Sequence, residues 1–210
     1  MIREQRKEQT RNTIIEVAYD LFISKGFHHT TMKDIYLASE IGKRTLYRYF
    51  SSKEDLATVI GNRIMDLYVR DIEDMAFPEE VQDSYQRIEY MFKHVFLPKL
   101  KENPQHARYI AQFDMNITGP YPDLPSSKET LDIFERLMRK VNSLIDDSGV
   151  DHSLRSDIDL DLAIETTFNA GIALAERIVV REERLRVEQK SVYKMLDDFF
   201  NMALHYMKNK

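Results

Sequence analysis

The 210-residue chain carries 30 lysines and arginines against 35 aspartates and glutamates, a net charge of −5, with no cysteine, no tryptophan, six glycines and six prolines. That length allows one domain or two small ones with a sizeable core; zero cysteine excludes disulfides, thiolate metal sites and cysteine nucleophiles; and scarce glycine and proline argue against barrels and sandwiches and for an all-α fold. No apolar run nears the roughly 20 residues of a membrane span, and no signal-type apolar stretch follows the charged start MIREQRKEQTR.

The charge divides unevenly. Residues 1–53 hold ten Lys/Arg and six Asp/Glu, a net +4, while residues 54–210 hold 20 and 29, a net −9, as expected of two modules with different partners. The first predicted helix runs from about Gln5 to Lys25 with Ile14, Val17, Ala18, Leu21 and Phe22 on one face. It stops at Gly26, placed as a C′ glycine with apolar Phe27 behind it. Thr31, with Asp34 three residues on, forms a capping-box signal. It opens a short helix, Met32 to Ser39, with Met32, Ile35 and Ala38 inward.

After a break at Glu40–Gly42 comes Lys43-Arg44-Thr45-Leu46-Tyr47-Arg48-Tyr49-Phe50. Leu46 and Phe50, four apart, face a core; polar and aromatic side chains cover the remaining circumference, more than packing requires. Ser51-Ser52-Lys53-Glu54-Asp55 then opens a longer helix through Leu56, Val59, Ile60, Ile64, Leu67 and Tyr68 towards Met75. Phe77-Pro78-Glu79-Glu80 marks a boundary. A helix from about Glu79 to Lys101 is disrupted near Pro98, which lacks an N–H, and Pro104 opens another to about Asn116. Residues 116–127, NITGPYPDLPSS, read as a loop. Helices near 127–147, 157–183 and 189–208 bring the total to about nine.

An amphipathic first helix, a capped second and a short basic-aromatic third are the parts of a helix-turn-helix unit. A helix fits the DNA major groove, where its exposed side needs donors for phosphates and base edges. Lys43, Arg44, Thr45, Tyr47, Arg48 and Tyr49 carry such groups. Thr31 at a helix start can present N–H groups to a phosphate, and Lys53 can reach the backbone on the flank. The competing reading is a solvated basic face with Tyr47 and Tyr49 packed on a neighbour.

Residues 26–56, GFHHTTMKDIYLASEIGKRTLYRYFSSKEDL, resemble the DNA-binding signature of the TetR/AcrR family of one-component transcription regulators. The matching pieces are Gly26-Phe27, Thr30-Thr31, Asp34-Ile35, Thr45-Leu46-Tyr47, Tyr49-Phe50, Ser52-Lys53-Glu54 and Leu56, and the likeness covers residues 10–60. It implies a cytoplasmic all-helical homodimer, not an enzyme, with a head over 1–53, a connecting helix over 54–75, and a ligand-binding and dimerisation domain over 76–210. It maps Thr31, Lys33, Tyr47 and Lys53 onto phosphate-contacting positions, and Gly42, Lys43, Arg44, Thr45, Arg48 and Tyr49 onto groove-facing ones. The chain departs from the pattern at Tyr36 (usually Ala), Ser39-Glu40 (small residue, then Gly), Gly42 (a polar cap) and Arg44 (often Gly). Glu40 is thereby a non-glycine at an αL-type turn position, Gly42 a weaker cap than Ser, and Arg44 an added donor for guanine. These departures bear on which bases are read.

The segment Leu160 to Val180 is apolar nearly all round and so calls for cover on nearly all sides. A partner subunit is one cover, with the small run Ala170 to Ala175 admitting a close helix; the centre of a monomeric bundle is the other. Met195, Leu196, Phe199, Ala203 and Tyr206 form a stripe on the last helix. A homodimer implies a palindromic double-stranded operator. Tyr90, Phe96, Tyr109 and Phe113, with polar Thr166 and Asn169, are candidates to line a ligand pocket; the same residues suit a core. The six histidines lack metal-ligand spacing, and Asp157-x-Asp159-x-Asp161 lacks the glycine and final glutamate of a calcium loop, so neither metal nor cofactor is expected. The resulting reading is a DNA-binding regulator, as a repressor, released from its operator by an unidentified small-molecule inducer. The alternatives are control by a protein partner, or a helical interaction or ligand-carrier protein with a non-functional head.

Overall fold

Eleven α-helical stretches follow one another through a computed structural model that describes residues 2–116, 124–145, 151–187 and 191–209. They are α1 (Ile2–Lys25), α2 (Met32–Ala38), α3 (Lys43–Tyr49), α4 (Lys53–Asp74), α5 (Ser84–Tyr90), α6 (Leu97–Glu102), α7 (Pro104–Asn116), α8 (Ser127–Asn142), α9 (Leu160–Val180), α10 (Glu182–Val187) and α11 (Val192–Met207). Among the described residues there is no strand, only an isolated bridge between Leu154 and Lys208, and no helix is long and apolar enough to cross a membrane. The all-α expectation holds. Residues 117–123 of the expected loop, and the expected helix ends at 146–147 and 189–190, lie outside the described residues.

The helix expected from Glu79 starts later. Asp83 is its N-cap and Gln86 completes a capping box, a D-x-x-Q signal that fixes the start better than the nearby Pro78. Between α5 and α6 the chain winds as a π-helix over Met91–Phe96, and the Leu97 N–H donates to Phe92 O. The irregularity thus comes just before Pro98, where an α-register would call for an N–H that proline lacks.

The chain forms two compact units that do not follow chain order: residues 1–65 with 109–132, and residues 66–108 with 133–210. In the first, Ile14, Ile15, Ala18 and Phe22 of α1 are buried with Ile35, Leu46, Phe50 and, from α4, Leu56, Ala57, Ile60 and Ile64. Burying each of the isoleucines, leucines and phenylalanines among them contributes about 1.5–3 kcal/mol. Ala38, expected inward, is exposed, and Ser39 is buried instead, its hydroxyl donating to Ile35 O at 2.6 Å. Residues 109–132 join this unit through buried hydrogen bonds. The Tyr109 hydroxyl donates to Ala57 O (2.8 Å), Ser126 Oγ to Asp55 Oδ1 (3.0 Å), Asn62 Nδ2 to Ser126 O (3.0 Å) and Thr130 Oγ1 to Asn62 Oδ1 (2.7 Å).

The second unit is centred on an aromatic cluster. Phe92 lies 4.8 Å from Phe168 and 4.9 Å from Phe200, and Phe96 meets the same two rings edge-on. Gly171 of α9 sits against Phe200 of α11, so close that a Cβ would lie 2.7 Å from the Phe200 Cζ. The small run on α9 is therefore used, at Gly171, for packing within the chain, where the sequence suggested a second subunit. On the surface of this unit Arg136 of α8 pairs with Asp66 and Glu73, and Lys99 with Asp71.

Candidate nucleic-acid interface

Gly26, at φ 84°, occupies the left-handed C′ position and its N–H returns to Phe22 O (3.0 Å), which stops α1. The turn that follows is tied from within: the buried Thr30 hydroxyl bonds Gly26 O (2.9 Å) and Leu21 O (3.2 Å). Thr31 then caps α2 as expected. Asp34 N–H donates to Thr31 Oγ1 (3.1 Å), while the Thr31 N–H (2.8 Å) and hydroxyl (2.7 Å) donate to Asp34 Oδ2. Those bonds, with Lys25 Nζ at 3.1 Å, hold the Asp34 carboxyl down to about 2. Thr31 thus spends its own donors on Asp34.

The turn between α2 and α3 is a Schellman motif: Ile41 N–H donates to Tyr36 O (3.1 Å) and Glu40 N–H to Leu37 O (3.3 Å). Glu40, at the αL position, has φ 56°, the only positive φ among the described non-glycine residues. This is the strain expected where a side chain stands in glycine's place. Gly42 caps α3 in an extended conformation (φ −63°, ψ 142°) without a side-chain bond.

On α3, Leu46 and Phe50 are buried at 0% and 1% exposure, which orients the rest of the helix outward. Gly42, Lys43, Arg44, Tyr47 and Arg48 are exposed, and Thr45 and Tyr49 half-buried. Lys43 lies over the Tyr47 ring (6.0 Å) and Arg48 over the Tyr49 ring (5.3 Å). Among the described residues Lys33, Lys43, Arg44 and Arg48 form no ion pair, so four cations on α2 and α3 are left to solvent. Lys53 differs. Its Nζ donates to Phe27 O (2.9 Å) and Thr30 O (3.1 Å) and lies 4.1 Å from the Phe27 ring centre. Sequence reasoning placed it on the same unit and missed its partners.

The six candidate ligand residues divide between the two units. Tyr109 and Phe113 belong to the first unit; Tyr109 is core, its ring 5.7 Å from Tyr19, and burial pushes its hydroxyl well above the ordinary value. Phe96 is buried in the aromatic cluster of the second unit, and Tyr90 is half-buried, stacked on His94 at 4.7 Å. Thr166 and Asn169 lie on the exposed face of α9, and Asn169 Nδ2 donates to Glu165 O. Thr166 and Asn169 take the outer face because the inner face is filled by Ile164, Thr167, Phe168 and Gly171. A shallow hollow of about 620 Å³ lies along α1, lined by residues from Gln5 to Val17.

The family model described as bacterial regulatory proteins, tetR family, matches residues 14–60. The regulator TcmR of Streptomyces glaucescens is 33% identical over 72 residues, 34% of this chain and 32% of that protein, so the match spans about a third of each. Likeness of fold extends much further. A TetR family transcription regulator from Marinobacter aquaeolei VT8 superposes with a TM-score of 0.65 at 19% identity, covering 99% of this chain and 100% of that one. Thermus thermophilus FadR, a repressor of the family solved in complex with lauroyl-CoA, gives 0.62 at 17% identity over 95% and 96%. The signature thus falls on the unit whose exposed α3 was built above: over residues 14–60 the chain is similar to bacterial regulatory proteins of the tetR family, and its fold is like that of the regulators it superposes on.

Proposed function

We propose that the chain is a cytoplasmic transcription regulator that binds a double-stranded operator through α3 and the start of α2. The observation that carries this reading is α3 itself, a seven-residue helix held by Leu46 and Phe50, with Lys43, Arg44 and Arg48 exposed and outside any ion pair among the described residues. Arg44 and Lys43 face base edges, with Thr45, Arg48, Tyr49 and the backbone at Gly42 alongside; Lys33 and Tyr47 lie towards phosphates, while Thr31, its donors held by Asp34, serves to cap α2. Base contacts select sequence and phosphate contacts set register.

The functional form in this reading is a homodimer. Outward residues of α9 and α11 include Leu162, Val180 (60% exposed), Met195, Met202 (66%) and Tyr206, an apolar face of the kind that associating helices bury. Two copies related by a twofold axis would present their α3 helices to half-sites about 34 Å apart, on a palindrome. A small molecule bound in the second unit would favour a spacing that no longer fits the operator, making the protein a repressor relieved by inducer. The test is a mobility shift with the chain's own upstream intergenic DNA, with and without candidate ligands. Binding to a palindromic segment, lost on adding one of them, is the expected result; no binding to any duplex would end the DNA reading. Arg44→Ala should relax one base position at a cost of about 1–3 kcal/mol, and an unchanged set of selected sequences would remove Arg44 from base reading.

A further inference from the structure

We propose that α1 carries a second DNA contact: Arg3, Lys7 and Arg11 form a basic stripe that takes backbone phosphates beside the groove entered by α3. The inference rests on the DNA-binding reading above and adds a surface to it.

Arg3, Lys7 and Arg11 stand four residues apart, and Ile14, Ala18 and Phe22 continue the same line along the helix. From Ile14 onward that line is the inner face of α1, exposed by no more than 1% at Ile14, Ala18 and Phe22. Before Ile14 the same face changes chemistry. Residues 3–9 are exposed and Arg11 is half-buried. A helix that went on packing against protein would keep apolar residues on this line. Cations there suit water or a polyanion. Any face would serve solubility, yet these three stand on the face directed at the head.

Two contacts fix where the stripe points. The Arg11 guanidinium lies 5.7 Å from the centre of the Phe50 ring, and Phe50 closes α3. From another side Arg63 of α4 donates to Asn12 Oδ1 and pairs with Glu16 at 3.8 Å, which holds the rotation of α1 about its axis. The stripe therefore leaves the head beside the end of the reading helix. Lys7 lies about 6 Å and Arg3 about 12 Å beyond Arg11 along the helix. The major groove is about 12 Å wide, so a duplex that seats α3 brings the phosphates along the groove's edge within the span of the stripe.

The cations are available. Arg3 and Arg11 form no ion pair among the described residues, and Lys7 meets Glu4 at 3.3 Å in an exposed pair on the same helix. Such a pair is held weakly against water and salt, so the lysine exchanges it for a phosphate at small cost. Glu4 and Glu8 flank the stripe on one side and Arg6 on the other, leaving residues 3–11 with a net positive charge.

The discriminating experiment measures binding of the full chain to a random-sequence duplex over a range of salt concentrations, beside unfolding in urea. Each lost phosphate contact lowers the log–log salt slope by about 0.9. Arg3→Gln with Lys7→Gln should lower the slope by about 1.8 for each bound copy and leave the unfolding midpoint where it was, both positions being exposed. Arg3→Lys with Lys7→Arg keeps the charges and should keep the slope. Arg186→Gln with Lys194→Gln removes the same charge from exposed cations of the other unit and should leave the slope nearly unchanged. An unaltered slope for Arg3→Gln with Lys7→Gln overturns the proposal, and so does an equal fall from the Arg186 and Lys194 pair, which would be an effect of net charge. Failure of the unsubstituted chain to bind any duplex would defeat the DNA reading itself. Normal binding with a slope untouched by the Arg3 and Lys7 changes would defeat the stripe alone.

Discussion

Gly171→Ala should destabilise the second unit, while the same change at Gly61 should stabilise the first. At Gly171 the new methyl would stand 2.7 Å from Phe200 Cζ, 3.1 Å from Cε1 and 3.5 Å from a Phe199 carbon. Carbon atoms rest at about 3.5–4.0 Å, so the Phe200 ring edge must retreat by roughly an ångström. It has nowhere free to go: Phe200 is fully buried, stacked on Phe92 at 4.9 Å and edge-on to Phe96 at 5.9 Å. Overpacking of this kind costs about 1–3 kcal/mol, and replacing glycine by alanine inside a helix returns about 1 kcal/mol. The net loss is then up to about 2 kcal/mol. Gly61 of α4 has nothing within 4 Å of a built Cβ, so only the propensity gain of about 0.8–1 kcal/mol remains. Urea unfolding read as a midpoint shift at unchanged slope measures both. Equal stabilisation by the two substitutions would mean that Phe200 moves aside freely and would refute the packing assignment. Because Phe200 belongs to the same chain, the deficit should not depend on protein concentration. A deficit that grows on dilution would instead put Gly171 against a partner subunit, as the sequence suggested.

Ser126→Ala removes the hydroxyl from Asp55 Oδ1 and leaves that buried carboxylate, among the described residues, with the Ser51 donors; unfolding should show a loss of about 1.5–3 kcal/mol, and a loss below about 0.5 kcal/mol would count against the network. Glu40→Gly relieves the φ of 56° and should raise the stability of the head by roughly 0.5–1 kcal/mol in thermal unfolding, a lower midpoint being the contrary result. Acid should loosen the start of α2: the Asp34 carboxyl lies at about 2 when folded, below its ordinary value near 4, so its contribution is complete above about pH 4 and is lost as the pH falls towards 2. Amide exchange at Thr31 and Asp34 between those limits follows this, and Asp34→Asn should show no such dependence; an identical pH profile in the variant would detach the cap from the titration.

The parts of the head that the sequence announces are those written within a few residues of one another. Gly26 before Phe27, Thr31 before Asp34, Glu40 in glycine's turn position, and Leu46 four residues from Phe50 each combine one local geometry with one side chain suited to it, and each stands in the structure as expected. Asp83 with Gln86 is equally local, but Pro78 just upstream is a competing signal for the helix start. The features out of reach share a different physics. Gly171 is small because Phe200 arrives at it, and nothing in the run of small residues says from which chain that neighbour comes. Residues 109–132 join the head through Tyr109 and Ser126, but the Tyr109 acceptor is the backbone carbonyl of Ala57. Lys53 is the sharpest case. The family signature marks its position and charge, yet both of its acceptors are backbone carbonyls. Every residue has a carbonyl, so no motif can record which ones a lysine will find. The sequence could thus place a cation at the DNA-binding surface, and only the course of the backbone shows that the same cation also holds the turn beside it.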